Sequence, residues 1–138
     1  MKSQLTPYIS FKGNAREAME FYQSVFGGKL SMNTYEEFHA AEDPAEANNI
    51  MHAQLDVENG MTLMGADTPG SLPFDEGTRI TVTLSGDNEP ELRGYYDRLC
   101  AGGSVMMPLE KAPWGDTFGQ VKDKYGVEWM VNISGQPG

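Results

Sequence analysis

The sequence predicts an α+β fold in which two tandem βαβββ modules form a curved, cup-like sheet with helices on its outer side. The main observation is an internal repeat. HAQLDVENG, beginning at His52, matches FGQVKDKYG, beginning at Phe118, sixty-six residues later. Upstream, NAREAMEFYQSVFGGKLSM from Asn14 matches NEPELRGYYDRLCAGGSVM from Asn88, seventy-four residues later. Because the two similarities occur in the same order, we expect one duplicated unit.

The length of 138 residues suits a single domain made of two modules. We place the modules at residues 1–66 and 79–138. The Pro-, Gly- and Asp-rich stretch 67–78, DTPGSLPFDEGT, is the expected linker. The upstream similarity repeats after seventy-four residues and the downstream one after sixty-six, so the first module must contain eight extra residues between its helix and its hairpin. The polar segment HAAEDPAEANN from His39 is the predicted extra loop.

Each module is predicted to begin with a strand and continue into a capped helix. Asn14 with Glu17, and Asn88 with Glu91, have the spacing of helix N-cap signals. Glycine pairs follow both apolar helical stripes and end the helices. The predicted strands are Leu5–Lys12, Leu30–Phe38, Ile50–Glu58 and Met61–Ala66 in the first module, and residues 80–84, Val105–Lys111, Thr117–Lys122 and Val127–Ile133 in the second.

Strand alternation predicts which side chains face the helices. Trp129 and Val131 should be core residues, as should Ala53, Leu55 and Ile80. The opposite face should then carry polar and aromatic side chains, among them His52, Gln54, Phe118, Gln120 and Met130. A cup lined in this way suits a small molecule.

Charge and composition narrow the function further. The net charge of −10 and the pI of about 4.5 argue against partners such as nucleic acid or an anionic membrane, and favour a cationic or neutral small ligand. The N-terminus does not resemble a signal peptide, and no apolar run reaches the ~20 residues that span a bilayer. We therefore expect a cytoplasmic protein. The single cysteine, Cys100, lies on a helical apolar stripe and is expected to be buried and inert.

The helix EAMEFYQSVFGGKL and the ending DKYGVEWMVNI, in tandem βαβββ modules, resemble the vicinal-oxygen-chelate superfamily of glyoxalase I, extradiol dioxygenases and bleomycin-resistance proteins. MHAQLDVENGMTLMGAD and PWGDTFGQVKDKYGVEWMVNI are similar to its PhnB-like branch, which often carries a 3-demethylubiquinone methyltransferase label. The sequence contains no glycine-rich phosphate loop, GxSxG, Walker or CxxC motif, so nothing in it supports nucleotide-dependent methyl transfer.

The resemblance also implies where a metal would bind. Metal-using relatives place His or Glu ligands on the first and last strands of each module, and the resemblance puts Pro7, Met64, Thr81 and Met130 at these positions. Proline cannot ligate a metal, and thioethers suit only soft ions. We therefore expect neither the usual metal nor another cofactor, and an apolar floor formed by Met64 and Met130.

His52 is the candidate general base, with a hydrogen-bonded strand histidine as the structural alternative. Gln54 and Gln120 either bond across the sheet or present their amides to a ligand. Trp114 is either a stacking surface at the rim or a packed corner residue. A metal site outside the positions used by the relatives would be formed by His39, His52, Glu36, Glu37 and Glu42. These residues do not have the sequence spacing that is typical of metal ligands.

The leading hypothesis is a small-molecule-binding protein, homodimeric like many members of the superfamily, that sequesters its ligand without a metal. The expected ligand contacts are Gln54, Met64, Thr81, Trp114, Phe118, Gln120 and Met130. The alternative is an enzyme of lyase, isomerase or hydrolase type, in which His52 is the base and the glutamines polarise a carbonyl group. A metalloenzyme with displaced ligands is the third hypothesis.

Overall fold

The computed structural model describes residues 5–72, 74 and 80–135. It divides into two compact units, Met1–Asp75 and Glu76–Gly138, and the division falls within the predicted linker. Each unit contains one α-helix and one four-stranded mixed sheet. The predicted α+β class and the βαβββ order of each module are confirmed.

Unit 1 contains the elements β1 (Tyr8–Phe11), α1 (Ala15–Phe26), β2 (Lys29–Thr34), β3 (Ile50–Asp56) and β4 (Thr62–Asp67). The strand order is β1-β4-β3-β2; β1 runs parallel to β4 and the other neighbours are antiparallel. Strand β2 ends earlier than predicted because Glu36–Phe38 forms a 3-10 turn.

The predicted extra loop of unit 1 is held by local hydrogen bonds. It contains a second 3-10 turn, Pro44–Glu46, which Asp43 caps by accepting a bond from the Ala45 N–H at 2.9 Å. The Glu46 carboxylate accepts bonds from the Gly70 N–H at 3.0 and 3.3 Å. The loop is thereby joined to the segment that follows β4.

The apolar stripe of α1 covers one face of this sheet. Its buried members are Ala15, Ala18, Met19, Tyr22 and Val25. The predicted core residues of β3, Ala53 and Leu55, are fully buried, which confirms their assignment to this face.

The helix start differs from the prediction. Asn14 makes no side-chain capping bond. Instead, Asp67 Oδ1 accepts bonds from the Gly13 N–H at 2.8 Å and the Ala15 N–H at 2.9 Å, while Asp67 Oδ2 accepts one from the Ile50 N–H at 2.9 Å. The parallel pairing of β1 with β4 places Asp67 opposite Phe11, just before the helix, so a carboxylate distant in sequence satisfies the N–H groups there.

Unit 2 contains β5 (Val82–Gly86), α2 (Glu89–Cys100), β6 (Ser104–Lys111), β7 (Thr117–Lys122) and β8 (Glu128–Ile133), in the sheet order β5-β8-β7-β6. The predicted cap is confirmed here, since the Asn88 side chain accepts a bond from the Glu91 N–H at 3.2 Å. The prediction for Ile80 is wrong: it precedes β5 and is 84% exposed.

The core of unit 2 is built around Trp129, which is 1% exposed, as predicted. Its indole Nε1 donates to Asp123 Oδ2 at 2.9 Å, and Asp123 Oδ1 accepts bonds from the N–H groups of Tyr125 and Val127 in the β7–β8 turn. Asp123 is itself buried, so one carboxylate joins the turn to the core.

Cys100 is only half-buried, contrary to the expectation, because it is the last residue of α2. Burial still raises the pKa of its thiol.

Candidate ligand-binding site

The sheet face of unit 1 that points away from α1 brings several of the candidate residues together. The strand register places Tyr8 and Gln54 on either side of Met64, and His52 opposite Asn33. Because side chains alternate along a strand, these residues lie on the face opposite the buried core residues of β3. The face is therefore a mixed surface of an aromatic ring, an imidazole, amides and a thioether.

His52 contacts the aromatic ring of Tyr8 on this face. The two ring centroids are 6.2 Å apart and the planes are tilted by 33°. Strand β4 lies between β1 and β3, so the rings meet above it.

Gln54 hydrogen-bonds along its own strand. Its Nε2 donates to Asp56 Oδ1 at 3.0 Å and to Oδ2 at 3.2 Å, and Thr62 Oγ1 donates to Asp56 Oδ1 at 3.3 Å. The amide thus bonds to a carboxylate on the same strand and not across the sheet, and a ligand contact by Gln54 stays a prediction. In the repeat, the position of Asp56 is taken by Lys122, so the two glutamines have differently charged neighbours.

A groove of about 520 Å³ opens on unit 1 where β1 and β4 end. Its described lining residues are Tyr8, Ser10, Tyr35, Met51, Ala66, Asp67, Thr68, Pro69, Leu72 and Phe74. The volume lies within the range of small-molecule pockets. None of the predicted contact residues lines the groove, but His52 adjoins it through Tyr8.

Two phenols give the groove hydrogen-bonding capacity. Tyr35 Oη donates to the main-chain oxygen of Asp67 at 2.7 Å. Burial raises the pKa of Tyr35, with smaller contributions from Tyr8, Asp67 and Glu46, and burial likewise raises the pKa of Tyr8. Both phenols therefore stay protonated and neutral at physiological pH.

Sequence reasoning missed these groove residues. Tyr8 and Ser10 alternate with Ile9 and Phe11 along β1, and this alternation was the available signal for the face they occupy. Tyr35 and Met51 carried no comparable signal, because a 3-10 turn and a register shift interrupt the pattern around them.

The corresponding face of unit 2 holds Phe118, Gln120 and Met130, whereas Trp114 lies in the loop between β6 and β7. The rings of Trp114 and Phe118 meet edge to face, with centroids 6.2 Å apart, and Trp114 is 66% exposed. Gln120 and Thr83 lie on either side of Met130, and Thr83 Oγ1 is 3.9 Å from the Met130 sulfur. Thr81 precedes β5.

The strand register shows which first-strand residues lie beside Met64 and Met130, while the correspondence of Pro7 and Thr81 to the ligand positions of the metal-using relatives stays a prediction. Parallel pairing places Tyr8, and not Pro7, beside Met64, and it places Thr83, and not Thr81, beside Met130. A phenol, a hydroxyl and two thioethers do not fit a hard divalent ion. Within residues 5–72, 74 and 80–135, no group of three or more His, Cys, Asp or Glu side chains is arranged to hold a metal.

The Asp116 carboxylate of unit 2 is held by two hydrogen bonds. Its Oδ1 accepts a bond from the Gly135 N–H at 2.8 Å, and its Oδ2 accepts one from Asn132 Nδ2 at 3.1 Å. These two hydrogen bonds, the backbone one first, lower the pKa of Asp116. Since Asn132 is opposite Phe118, the carboxylate positions an amide on the candidate face.

We predict that Asp116→Asn changes stability in a pH-dependent way. A folded pKa below the unfolded value means that the carboxylate adds stability above about pH 4, and that this stability is lost as the pH falls through the folded pKa. Urea unfolding of wild type and variant at pH 7 and at successively lower pH should therefore show a difference that shrinks below about pH 4. A difference independent of pH would contradict this role of the carboxylate.

Comparison with known proteins identifies the family. The sequence model of the family described as 3-demethylubiquinone-9 3-methyltransferase matches residues 3–132. The chain belongs to this family. A solved structure of protein PA1353 from Pseudomonas aeruginosa is 35% identical, with a TM-score of 0.80 and coverage of 96% of this chain and 98% of that one. The PhnB protein of Bacillus cereus is 28% identical, with a TM-score of 0.76 and coverage of 96% and 100%.

A more distant structure shares the fold of this chain. A glyoxylase/bleomycin resistance protein/dioxygenase domain from Frankia is 13% identical, with a TM-score of 0.67 and coverage of 100% of this chain and 95% of that one. The family model and the PhnB structure confirm the predicted PhnB-like family, and the Frankia domain confirms the predicted fold. Among the described residues of this PhnB-like chain, no helix is long and apolar enough to cross a membrane.

Proposed function

We propose that this PhnB-like protein binds a small molecule in the groove of unit 1. The observation that supports the proposal is the groove itself, an opening of about 520 Å³ where β1 and β4 end. Its lining combines apolar side chains such as Met51 and Leu72 with a few polar groups, which is the usual composition of a ligand pocket.

The polar groups of the groove are able to orient a ligand. Ser10 and Thr68 supply hydroxyl groups that donate or accept, and the phenol of Tyr8 is a neutral donor at physiological pH. Tyr35 is held by its bond to the Asp67 main-chain oxygen, so its ring is a fixed wall. A fixed wall reduces the entropy that is lost on binding.

The other parts of the leading hypothesis remain predictions. They are the homodimer, the cytoplasmic location, the absence of the usual metal and of other cofactors, and ligand contacts at Gln54, Met64, Thr81, Trp114, Phe118, Gln120 and Met130. The proposal for the groove depends on none of them.

Replacing Tyr8 by alanine should weaken ligand binding. A library of small molecules is first screened for compounds that raise the melting temperature of the full chain in a concentration-dependent manner. For such a compound, Tyr8→Ala should raise Kd about tenfold, because an aromatic contact worth about 1–1.5 kcal/mol is lost. Calorimetric titration measures the change.

Tyr125→Ala is the matched control for this experiment. Tyr125 follows Asp123 in the β7–β8 turn of unit 2 and does not line the groove, so its removal takes away the same side chain elsewhere. It should leave Kd within a factor of two or so. Equal Kd values for wild type and Tyr8→Ala would place the ligand outside the groove.

Enzymatic use of His52 is a second candidate function. The supporting observation is the contact between the His52 and Tyr8 rings, which puts an imidazole beside the groove. In this case His52 is the general base for a ligand held in the groove. Once a substrate is known, His52→Ala should abolish turnover with little change in substrate affinity, and unchanged turnover would refute the enzymatic role.

A further inference from the structure

The aromatic residues of the groove come from three separated segments. Tyr8 lies on β1, Tyr35 follows β2, and Phe74 lies beyond β4, yet all three line the same groove. Tyr35 is anchored through its phenol and Tyr8 packs against the His52 ring. Aromatic rings on several sides of one opening are the arrangement that attracts a positively charged group to ring faces.

Acidic groups adjoin these rings. Glu46 is joined to the groove segment through its bonds to the Gly70 N–H, and its negative charge contributes to the raised pKa of Tyr35. Asp67 is among the lining residues and is 3% exposed. Within the described lining there is no Lys, Arg or His side chain. The groove therefore combines aromatic side chains with carboxylates close by and with no cationic side chain among its described lining residues.

The hydrogen bonds of Asp67 restrict the kind of cation that fits. Both of its carboxylate oxygens already accept backbone N–H bonds, from Gly13 and Ala15 on one oxygen and from Ile50 on the other. A hard metal ion needs several oxygen ligands to replace its hydration shell. An alkylated ammonium group is weakly hydrated and needs only ring faces and a negative potential.

We infer that the ligand of this groove is an organic cation whose alkylammonium group lies against Tyr8, Tyr35 and Phe74, with Glu46 supplying the negative charge nearby. This inference rests on the proposed function, because it specifies the class of ligand for the same groove. It agrees with the net charge of −10, which raises the local concentration of cations.

Choline and 3,3-dimethyl-1-butanol test the inference directly. The two probes have nearly the same shape, but the second has carbon in place of the charged nitrogen. Each probe is titrated into the full chain to about 50 mM, and NaCl is added so that the ionic strength is the same in all samples. Kd is obtained from melting or NMR titration. Choline should bind at least about tenfold more tightly than its neutral isostere.

Two variants, each of which replaces a carboxylate by a neutral amide, separate the effect of Glu46 from the effect of the net charge. Glu46→Gln should weaken choline binding several-fold and leave the neutral isostere unaffected, since the amide oxygen can still accept from Gly70. Glu42→Gln changes the net charge by the same amount in the same exposed loop, and it should have little effect. Equal effects of the two variants would overturn the role of Glu46.

The inference and the proposed function fail in different ways. Equal affinity for the two probes, or binding of neither, would overturn the organic-cation inference. The groove would still be the ligand site if a neutral compound from the library bound in a manner sensitive to Tyr8→Ala. If every stabilising compound were insensitive to Tyr8→Ala, the proposed function itself would be overturned.

Discussion

Asp67→Ala is expected to lower the free energy of unfolding by about 3–5 kcal/mol, the largest effect that we predict for a single polar side chain. The buried carboxylate accepts three backbone N–H bonds, from Gly13, Ala15 and Ile50. Alanine would leave these N–H groups without the acceptor, at the start of α1 and of β3. Urea unfolding at neutral pH measures the loss.

Two comparison variants show whether the carboxylate causes this effect. Asp43→Ala removes an exposed cap that accepts one bond, from the Ala45 N–H, and should cost only about 1 kcal/mol. Asp67→Asn keeps the size and one acceptor oxygen but turns a donor toward an N–H group, so its cost should lie between the other two. If Asp67→Ala cost no more than Asp43→Ala, Asp67 would not be the anchor of the helix start.

Trp129→Ala is expected to lower the free energy of unfolding by about 3–5 kcal/mol, because it empties the largest fully buried side-chain volume of unit 2. Trp129→Phe should cost about 1–3 kcal/mol, since it keeps most of the apolar volume but removes the bond to Asp123 Oδ2. The pair of variants separates packing from hydrogen bonding.

Asp123→Asn supplies the control for this pair of residues. An amide at this position can keep an acceptor for the turn N–H groups of Tyr125 and Val127, but places a donor near the indole. We expect the loss in Asp123→Asn to overlap with that in Trp129→Phe, so that the double variant costs less than the sum of the single changes. Strict additivity would contradict an energetic role for the indole–carboxylate bond.

Features of the fold that depend on local pattern were predictable from the sequence. The helical stripes, the glycine turns and the alternation along β8 identified the elements to within a few residues, because neighbouring side chains determine these patterns. The β6 and β7 strands agree closely with the predicted Val105–Lys111 and Thr117–Lys122.

Features that depend on long-range pairing were not predictable in this way. The cap of α1 comes from Asp67, which is 52 residues from Ala15, so the nearby Asn14 looked sufficient on spacing alone. The resemblance likewise pointed to Pro7 and Thr81, whereas the residues that pair with Met64 and Met130 are Tyr8 and Thr83. The repeat establishes that strands correspond, but hydrogen-bond register decides which residues meet.

The sequence predicted the sheet face that carries the candidate residues, but it did not predict the position of the groove. His52, Gln54 and Met64 share the face that alternation indicated, whereas the groove lies at the end of that face. Its lining includes Tyr35, which follows β2, and residues of the segment after β4, and such irregular segments carry little periodic signal. The same irregular segments bring Tyr35 and Phe74 toward Tyr8.

A structure of the full chain with a compound bound, chosen from the melting screen, tests the central claim most directly. We predict that the compound occupies the groove of unit 1 and contacts Tyr8 and Tyr35, beside His52. A well-defined compound bound elsewhere, with the groove empty at saturating concentration, would contradict the account.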